Sequence, residues 1–264
     1  MKLLVTGATG FIGSELLFDE YMTEKYDIIP CNKIDDIPKI MHMSPNTTLL
    51  HLAGLFSGSH DELWNSNVEL TKRILDLYHK GGGSCVIYLS TGAVYGNDVS
   101  LSGSVETDVI NPPTYYGFTK QVAELLIQKH WGGDKRYQIL RLPNVYGASQ
   151  KKGVVYNFAK QIRETKTITI EGDGEQRRDF LHISDLLHAI DCAIEYKAAS
   201  EIFNISSGLT LTINKLAELL INGREVKVVN VPDNNGLRAL VLDISKAKKY
   251  LGYAPKVNKL KVGA

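Results

Sequence analysis

The stretch PTYYGFTKQVAE, residues 113–124, places two tyrosines ahead of Lys120. Residues four apart share a helix face, so Tyr116 lies one turn from Lys120 while Tyr115 points well around the cylinder. A free phenol titrates at about 10 and is almost fully protonated at neutral pH. An adjacent ammonium favours the phenolate, and lowering the pKa by ~3 units takes roughly 4 kcal/mol of differential stabilisation. Tyr116 is thus a candidate general base with Lys120 as its electrostatic partner. Nearby in the chain, STGAVYG at residues 90–96 ends a strand-like run, where a hydroxyl from Ser90 or Thr91 is placed to hold a substrate oxygen beside Tyr116.

A second group of residues asks for a ligand. TGATGFIG, residues 6–13, sets Gly7, Gly10 and Gly13 three apart between the apolar run KLLV and the helical pattern that follows. A helix N-terminus offers unpaired amides and the positive end of its dipole, so a diphosphate binds there if the backbone can come close. Gly7 permits the tight turn, Gly10 the approach of the diphosphate, and Gly13 the packing of the helix on the sheet. The flanking strand and helix make this a dinucleotide loop. The oxidised nicotinamide of such a cofactor would add a second positive charge near Tyr116. An acidic residue is expected at the end of the second strand to bind the adenosine ribose of NAD. The chain has Asn32 and Lys33 there instead. An amide can bond a ribose hydroxyl and an ammonium favours a 2'-phosphate, so NAD and NADP both remain open.

The elements that must position these groups are legible as alternation. KLLVT (2–6), DIIPC (27–31), TLLHLA (48–53), CVIYLS (85–90) and YQILRL (137–142) are near-continuous apolar runs, as in strands buried on both faces. Helical periods separate them, Leu70, Ile74, Leu77 and Tyr78 in one and Ala123, Leu126, Ile127 and His130 in another. The pattern predicts an α/β fold, a Rossmann-type doubly wound parallel sheet. Between Lys33 and Thr47 there is room only for a brief strand such as KID and a short helix near 36–43. After residue 143 the rhythm changes: VVYNFAKQIRE reads as a helix, TITIE (167–171) as a strand and GDGEQRRDF (172–180) as a charged loop. Ile183, Leu187, Ile190 and Ile194 mark a helix before the strand EIFNIS. Thr212 is expected to cap one later helix, and Asp243 another that stops at Gly252. Residues 1–143 therefore read as a dinucleotide-binding domain to which 177–208 returns, and 144–264 mainly as a smaller α/β substrate lobe.

Composition narrows the partners. The 264 residues carry 30 lysines plus arginines against 29 acidic residues, so no net field draws nucleic acid or an anionic membrane. Cys31, Cys85 and Cys192 are widely spaced, as reduced core residues are, which argues against a disulfide frame or a metal site. No apolar run approaches the roughly 18 to 20 residues of a membrane span, and a soluble cytoplasmic protein is expected.

The motifs together resemble the extended short-chain dehydrogenases/reductases, specifically the NAD-dependent epimerase/dehydratase family acting on nucleotide sugars. TGATGFIG, HLAG (51–54), NVELT (67–71), STGAVYG, Tyr116 with Lys120, RLPNVYG (141–147), GDGEQRRDFLHISDL, FNISSG (203–208) and DISKAKKYLGY (243–253) occur in the family's order. The resemblance implies a catalytic triad of Thr91, Tyr116 and Lys120. It sets Gly7, Thr9, Gly10, Phe11, Ile12, Gly13, Asn32, Lys33, Leu52, Ala53, Gly54 and Ser90 against the cofactor, with Tyr116 and Lys120 also touching it. Thr91 and Asn144 would meet the nucleotide sugar, and Arg178 its diphosphate. Asn67, Arg141, His182 and Asp185 are expected to tie loops together. Family members often pair through helices that here would be 61–80 and 115–131, so a homodimer is expected.

The implied reaction is oxidation or reduction at C4 of a nucleotide hexose. Dehydratases of the family carry an Asp–Glu pair right after the triad threonine, and this chain has Gly92 and Ala93, which argues against dehydration. STGAVYG and RLPNVYG resemble 4-epimerases, whereas Asn32, Lys33 and the shortened second βαβ unit resemble NADPH-dependent 4-ketoreductases. A non-catalytic dinucleotide sensor is a further alternative, opposed by the intact triad. Where many members have an arginine ten residues before the DISKA aspartate, this chain has Asp233. Arg238 is the expected substitute. Little sequence follows LGYAPKV, so a more open sugar pocket is expected.

Overall fold

The computed structural model describes residues 1–43, 47–96, 103–130, 135–233 and 237–260. Trp131, at the end of the expected helix 115–131, and residues 234–236 of VPDNNG lie outside the described residues. The chain begins as β1 (Lys2–Thr6), α1 (Phe11–Phe18), α2 (Glu20–Lys25), β2 (Asp27–Cys31), α3 (Ile37–Met43), β3 (Thr48–His51), α4 (His60–Trp64), α5 (Leu70–Lys80), β4 (Cys85–Thr91), α6 (Tyr115–His130) and β5 (Arg136–Leu142). It continues as β6 (Asn144–Tyr146), α7 (Val154–Thr165), β7 (Thr167–Glu171), β8 (Arg177–His182), α8 (Ile183–Glu195) and β9 (Glu201–Asn204). The last elements are β10 (Thr210–Thr212), α9 (Ile213–Ile221), β11 (Lys227–Val231), β12 (Ala239–Leu240) and α10 (Ser245–Leu251).

The main sheet runs β2-β1-β3-β4-β5-β9, and every neighbouring pair in it is parallel. Successive strand residues face opposite ways, which explains why the apolar runs are continuous. Leu3, Val5, Ile87, Leu89 and Leu140 enter a core with Leu16, Ala189, Ile190 and Ala247 of α1, α8 and α10. Leu4, Val86, Tyr88 and Ile139 enter the opposite core with Ile37, Ile74, Ala123 and Ile127 of α3, α5 and α6. The chain leaves β1 toward β2 on one side and returns to β3 on the other, so a crevice opens at the carboxyl ends of β1 and β3. The dinucleotide loop and Leu52–Gly54 both lie there.

In the smaller lobe, β8 lies between β10 and β12 and also pairs with β6, while β7 pairs with β11. Phe158, Ile162, Ile168, Phe180, Leu216 and Leu220 fill the core beneath α7 and α9. Thr212 caps α9 by accepting from the Lys215 amide at 3.1 Å.

The structure departs from the sequence reading at several points. KID is no strand: Ile34–Asp36 form a 3-10 turn leading into α3, which leaves β2 as the edge of the main sheet. GDGEQRRDF is a loop only in its first half, since Arg177 onward is β8, sheltered between β10 and β12. Of the stretch 177–208, Glu201–Asn204 joins the main sheet as β9 and Arg177–His182 joins the smaller one. Asp243 sits one residue before the α10 cap, Ile244, and accepts from the Ser245 amide at 2.8 Å. Gly252 ends that helix in the left-handed region, at φ 65°. Among the described residues, no helix is long and apolar enough to cross a membrane.

Candidate active site

Three elements bring the expected triad together. Thr91 ends β4, and its hydroxyl oxygen accepts from the Ala93 amide at 3.2 Å, which caps the short turn Gly92–Val94. Tyr116 leaves the first turn of α6 and lies beside the Thr91 side chain. α6 can close on the β4 turn because residue 117 is glycine; a Cβ there would lie 2.8 Å from the Ala93 carbonyl oxygen. Lys120 follows one turn on, buried, with its ammonium donating to the Leu89 carbonyl at 2.6 Å and lying 4.1 Å from the centre of the Tyr88 ring. The neighbouring Tyr115 instead stacks on His60, ring centres 3.9 Å apart. The helix geometry that separates the two tyrosines in sequence thus separates them in space.

The charge states differ from the simplest expectation. Burial pushes the Tyr116 phenol up to about 12, and the nearby Thr91 side chain only partly opposes this. Burial also pushes Lys120 down to about 7, with Glu124 pulling the other way. Lys120 alone therefore does not deliver the phenolate. A positive charge from a bound oxidised cofactor is what this pair would need.

The dinucleotide loop fits such a group. Gly7 stands at φ 72°, and a Cβ on it would lie 2.6 Å from the Ala53 amide nitrogen. One on Gly13 would lie 2.4 Å from the Gly7 carbonyl oxygen. Both glycines are explained by the protein's own packing. Gly10 is different: its φ of −76° suits any residue, it is exposed, and only the Gly7 carbonyl oxygen, at 3.2 Å, would touch a Cβ there. It caps α1 without any side-chain bond to the first amides. Space outside Gly10, facing free helical amides, is what a diphosphate requires. Thr9 is exposed beside it, while Phe11 and Ile12 are part-buried against the core. Asn32 and Lys33 are exposed at the end of β2. Leu52 and Ala53 are part-buried, and a Cβ on Gly54 would stand 3.9 Å from the Lys120 ammonium. The loop after β3 thus joins the glycine cradle to the triad.

Toward the smaller lobe, Asn144 begins β6 beside Phe180 of β8. Arg178, on β8, donates to the Arg177 and Leu237 carbonyls at 2.9 and 2.5 Å. Burial lowers it to about 10, with Asp233 opposing and Arg238 reinforcing the shift. Arg238 is exposed and held by both oxygens of Asp173, at 3.1 and 2.9 Å. Register pairs Leu240 with Arg178, and Leu240 and Leu242 also pack over Gly92. β12 therefore links this pair of guanidiniums to the turn after Thr91.

The sequence matches the NAD dependent epimerase/dehydratase family over residues 3–206, more than half of its length. The chain belongs to that family. It is an NAD(P)-dependent enzyme built on the epimerase/dehydratase fold. A dTDP-4-dehydro-6-deoxyglucose reductase from Escherichia coli is 29% identical over 97% of this chain and 93% of its own. The solved UDP-glucose 4-epimerase from Thermotoga maritima, with UDP-glucose, is 28% identical at a TM-score of 0.86, covering 97% of this chain and 94% of its own. The UDP-glucuronic acid 4-epimerase from Bacillus cereus, in complex with UDP-glucuronic acid and NAD, is 27% identical at a TM-score of 0.88, covering 97% and 95%.

In this member of the family, some side chains do work that the sequence did not reveal. Ser90, expected against the cofactor, points to the other face of β4 and gives its hydroxyl to Glu124. Glu124 is buried and bonds Arg141, which in turn bonds Tyr95. The helical spacing Tyr116, Lys120, Glu124 was the available signal, but a single glutamate in an amphipathic helix reads first as a solvated residue. Asn67 lies in a π turn, Asn65–Glu69, between α4 and α5. Its amide accepts from the Leu55 amide and donates to the Leu55 carbonyl, both at 2.8 Å, and reaches Thr119 at 3.0 Å. It therefore pins the loop after Gly54 to α6. Asn67→Ala is expected to cost about 1–2 kcal/mol, read from urea unfolding, and to loosen the loop to proteolysis.

Proposed function

We propose that this chain is a nucleotide-sugar 4-epimerase acting on a UDP-hexose. The observation that carries the reading is the placing of Tyr116, at the start of α6, beside the Thr91 side chain at the carboxyl edge of the sheet and one helical turn from a buried Lys120. In that arrangement Tyr116 takes the proton of the sugar 4-hydroxyl as C4 is oxidised, and returns it when C4 is reduced from the other face. Thr91 donates to the same oxygen, and Lys120 holds the ribose that carries the nicotinamide. When bound, the nicotinamide dinucleotide supplies the hydride chemistry at C4. Asn144 and the Arg178–Arg238 pair face the nucleotide diphosphate. A bidentate guanidinium suits phosphate oxygens, and Arg178 is pre-aligned by two carbonyls. Arg238 would have to leave Asp173 to join it.

The turn after Thr91 supports epimerisation over dehydration. Neither Gly92 nor Ala93 supplies the acid that elimination needs, and a side chain at position 92 would crowd a Leu242 methyl, 2.8 Å from its Cβ. The outward face of α6 exposes Phe118 and Leu125, which supports pairing of two copies through α6 and residues 61–80 in a homodimer. Lys33, together with the Escherichia coli reductase relative, favours a second reading, an NADPH-dependent reductase of a 4-keto-6-deoxyhexose nucleotide. Denaturing the purified protein and identifying what it releases separates the two. The epimerase should release stoichiometric NAD and interconvert UDP-glucose or UDP-glucuronic acid with its C4 epimer without added cofactor. NADPH oxidation by a dTDP-4-keto-6-deoxyhexose, with no epimerisation, would overturn the epimerase assignment.

A further inference from the structure

Behind the triad lies a polar cluster that takes no direct part in the proton transfer. Glu124 and Arg141 are both buried in the sheet–helix interface, with side chains 2% and 4% exposed. Arg141 Nε approaches the two carboxylate oxygens at 3.1 and 3.3 Å, and a terminal nitrogen reaches one of them at 2.7 Å. Ser90 donates to the same carboxylate. The other terminal nitrogen of Arg141 donates to Tyr95 at 2.8 Å, and Tyr95 donates to Asn204 at 2.7 Å. The cluster therefore joins β4, β5, α6 and β9.

Its position relative to the triad is what gives it a role. Glu124 is one turn beyond Lys120 and two beyond Tyr116, on one face of α6. Among the described residues, the Lys120 ammonium meets the Leu89 carbonyl and the Tyr88 ring, with no carboxylate in direct contact. The charged and titratable groups around it are His51 of β3, Tyr88 of β4, Tyr116 and Glu124 of α6, and Arg141 of β5 behind Glu124. His51 is buried between Thr6 and Thr71 and held neutral, its pKa near 3 through burial and the charge of Lys120. Tyr88 and Tyr116 are both pushed up by burial. Of these groups, only Glu124 brings negative charge to Lys120.

We propose that Glu124 is a positioning residue that keeps Lys120 cationic, with Arg141 and Ser90 fixing the carboxylate one turn behind it. The proposal rests on the catalytic reading of Lys120 given above. Without this carboxylate, the buried ammonium would lose its proton at lower pH, and the site would lose the charge that faces Tyr116 and the cofactor ribose. Arg141 anchors the carboxylate and also partly cancels its charge.

The test follows the lysine itself. The Cε resonance of Lys120, in protein labelled with carbon-13 lysine and assigned by its loss in Lys120→Met, is titrated with pH. In Glu124→Gln the midpoint should fall by about one unit, a roughly tenfold change in the protonation equilibrium, and Glu124→Asp should restore much of it. A purely structural glutamate would leave the midpoint within about 0.3 units of the parent, and that result overturns the proposal. If Glu124→Gln does not fold, the double variant Glu124→Gln/Arg141→Gln removes both buried charges. Its midpoint should fall less but in the same direction, and no fall there also overturns the proposal. Failure of the catalytic reading looks different: Tyr116→Phe would keep its turnover whatever the lysine titration shows.

Discussion

Tyr116→Phe should lower turnover about a thousandfold while leaving the thermal midpoint and the affinity for dinucleotide close to the parent's. General acid–base groups contribute typically 10² to 10⁴, and the phenol beside Thr91 is the group placed to carry the proton. Phenylalanine keeps the ring, so the packing of the first turn of α6 against the β4 turn is preserved. The phenol oxygen beside Thr91 is lost, and Thr91 keeps its bond from the Ala93 amide. Thr91→Ala should cost less, about ten- to a hundredfold, because a donor to the reacting oxygen is removed and the base remains. The pH dependence has a definite sign. With the phenol raised to about 12 by burial, the phenolate fraction, and so turnover, rises with pH on the acid side in the parent. In Tyr116→Phe that rise should vanish from whatever activity is left. Steady-state assays with UDP-glucose and UDP-glucuronic acid across pH 6 to 9 check both points. Parent-like turnover in the variant would remove Tyr116 from the chemistry.

Much of this arrangement was readable in the chain because it depends on short-range periodicity. A parallel strand covered on both faces must be apolar throughout, so KLLVT and CVIYLS announce themselves. The choice of Tyr116 over Tyr115 needs only the pitch of a helix. What escaped depends on contacts distant in sequence. KID could have extended the sheet beyond β2 but turns into α3 instead, and RRDF has the composition of a loop but three partners, β6, β10 and β12, the last only two residues long. Ser90 and Thr91 were equivalent hydroxyls until the pleat of β4 sent one to Glu124 and the other to Tyr116. The charge of Lys120 escaped for a related reason. Spacing shows that an ammonium is near a phenol, but burial, which lowers the one and raises the other, is a property of the folded environment.

The second large effect separates two glycines that look alike in sequence. Gly13→Ala would set a methyl 2.4 Å from the Gly7 carbonyl oxygen and 2.6 Å from Ala8 Cα. Both are backbone atoms and cannot swing away, so α1 must lift from the sheet. Overpacking of this kind costs about 3 kcal/mol, or a fall of about 6 to 10 °C in thermal midpoint for a chain of this size. Gly10→Ala meets one atom, the Gly7 carbonyl oxygen at 3.2 Å, and needs no unusual φ, so the fold should lose little. Its methyl would instead stand where the diphosphate meets the first amides of α1. Losing one charge-assisted bond there, about 1.5–3 kcal/mol, weakens dinucleotide binding roughly ten- to a hundredfold. Thermal melts paired with NAD and NADP titrations should therefore show a cold-shifted melt for Gly13→Ala and a weak-binding, near-parental melt for Gly10→Ala. Parent-like affinity in Gly10→Ala for both cofactors would move the diphosphate away from this helix end. The contrast has a physical basis: Gly13 answers to the protein's own backbone, whereas Gly10 faces outward, and only a ligand gives a reason for the missing side chain.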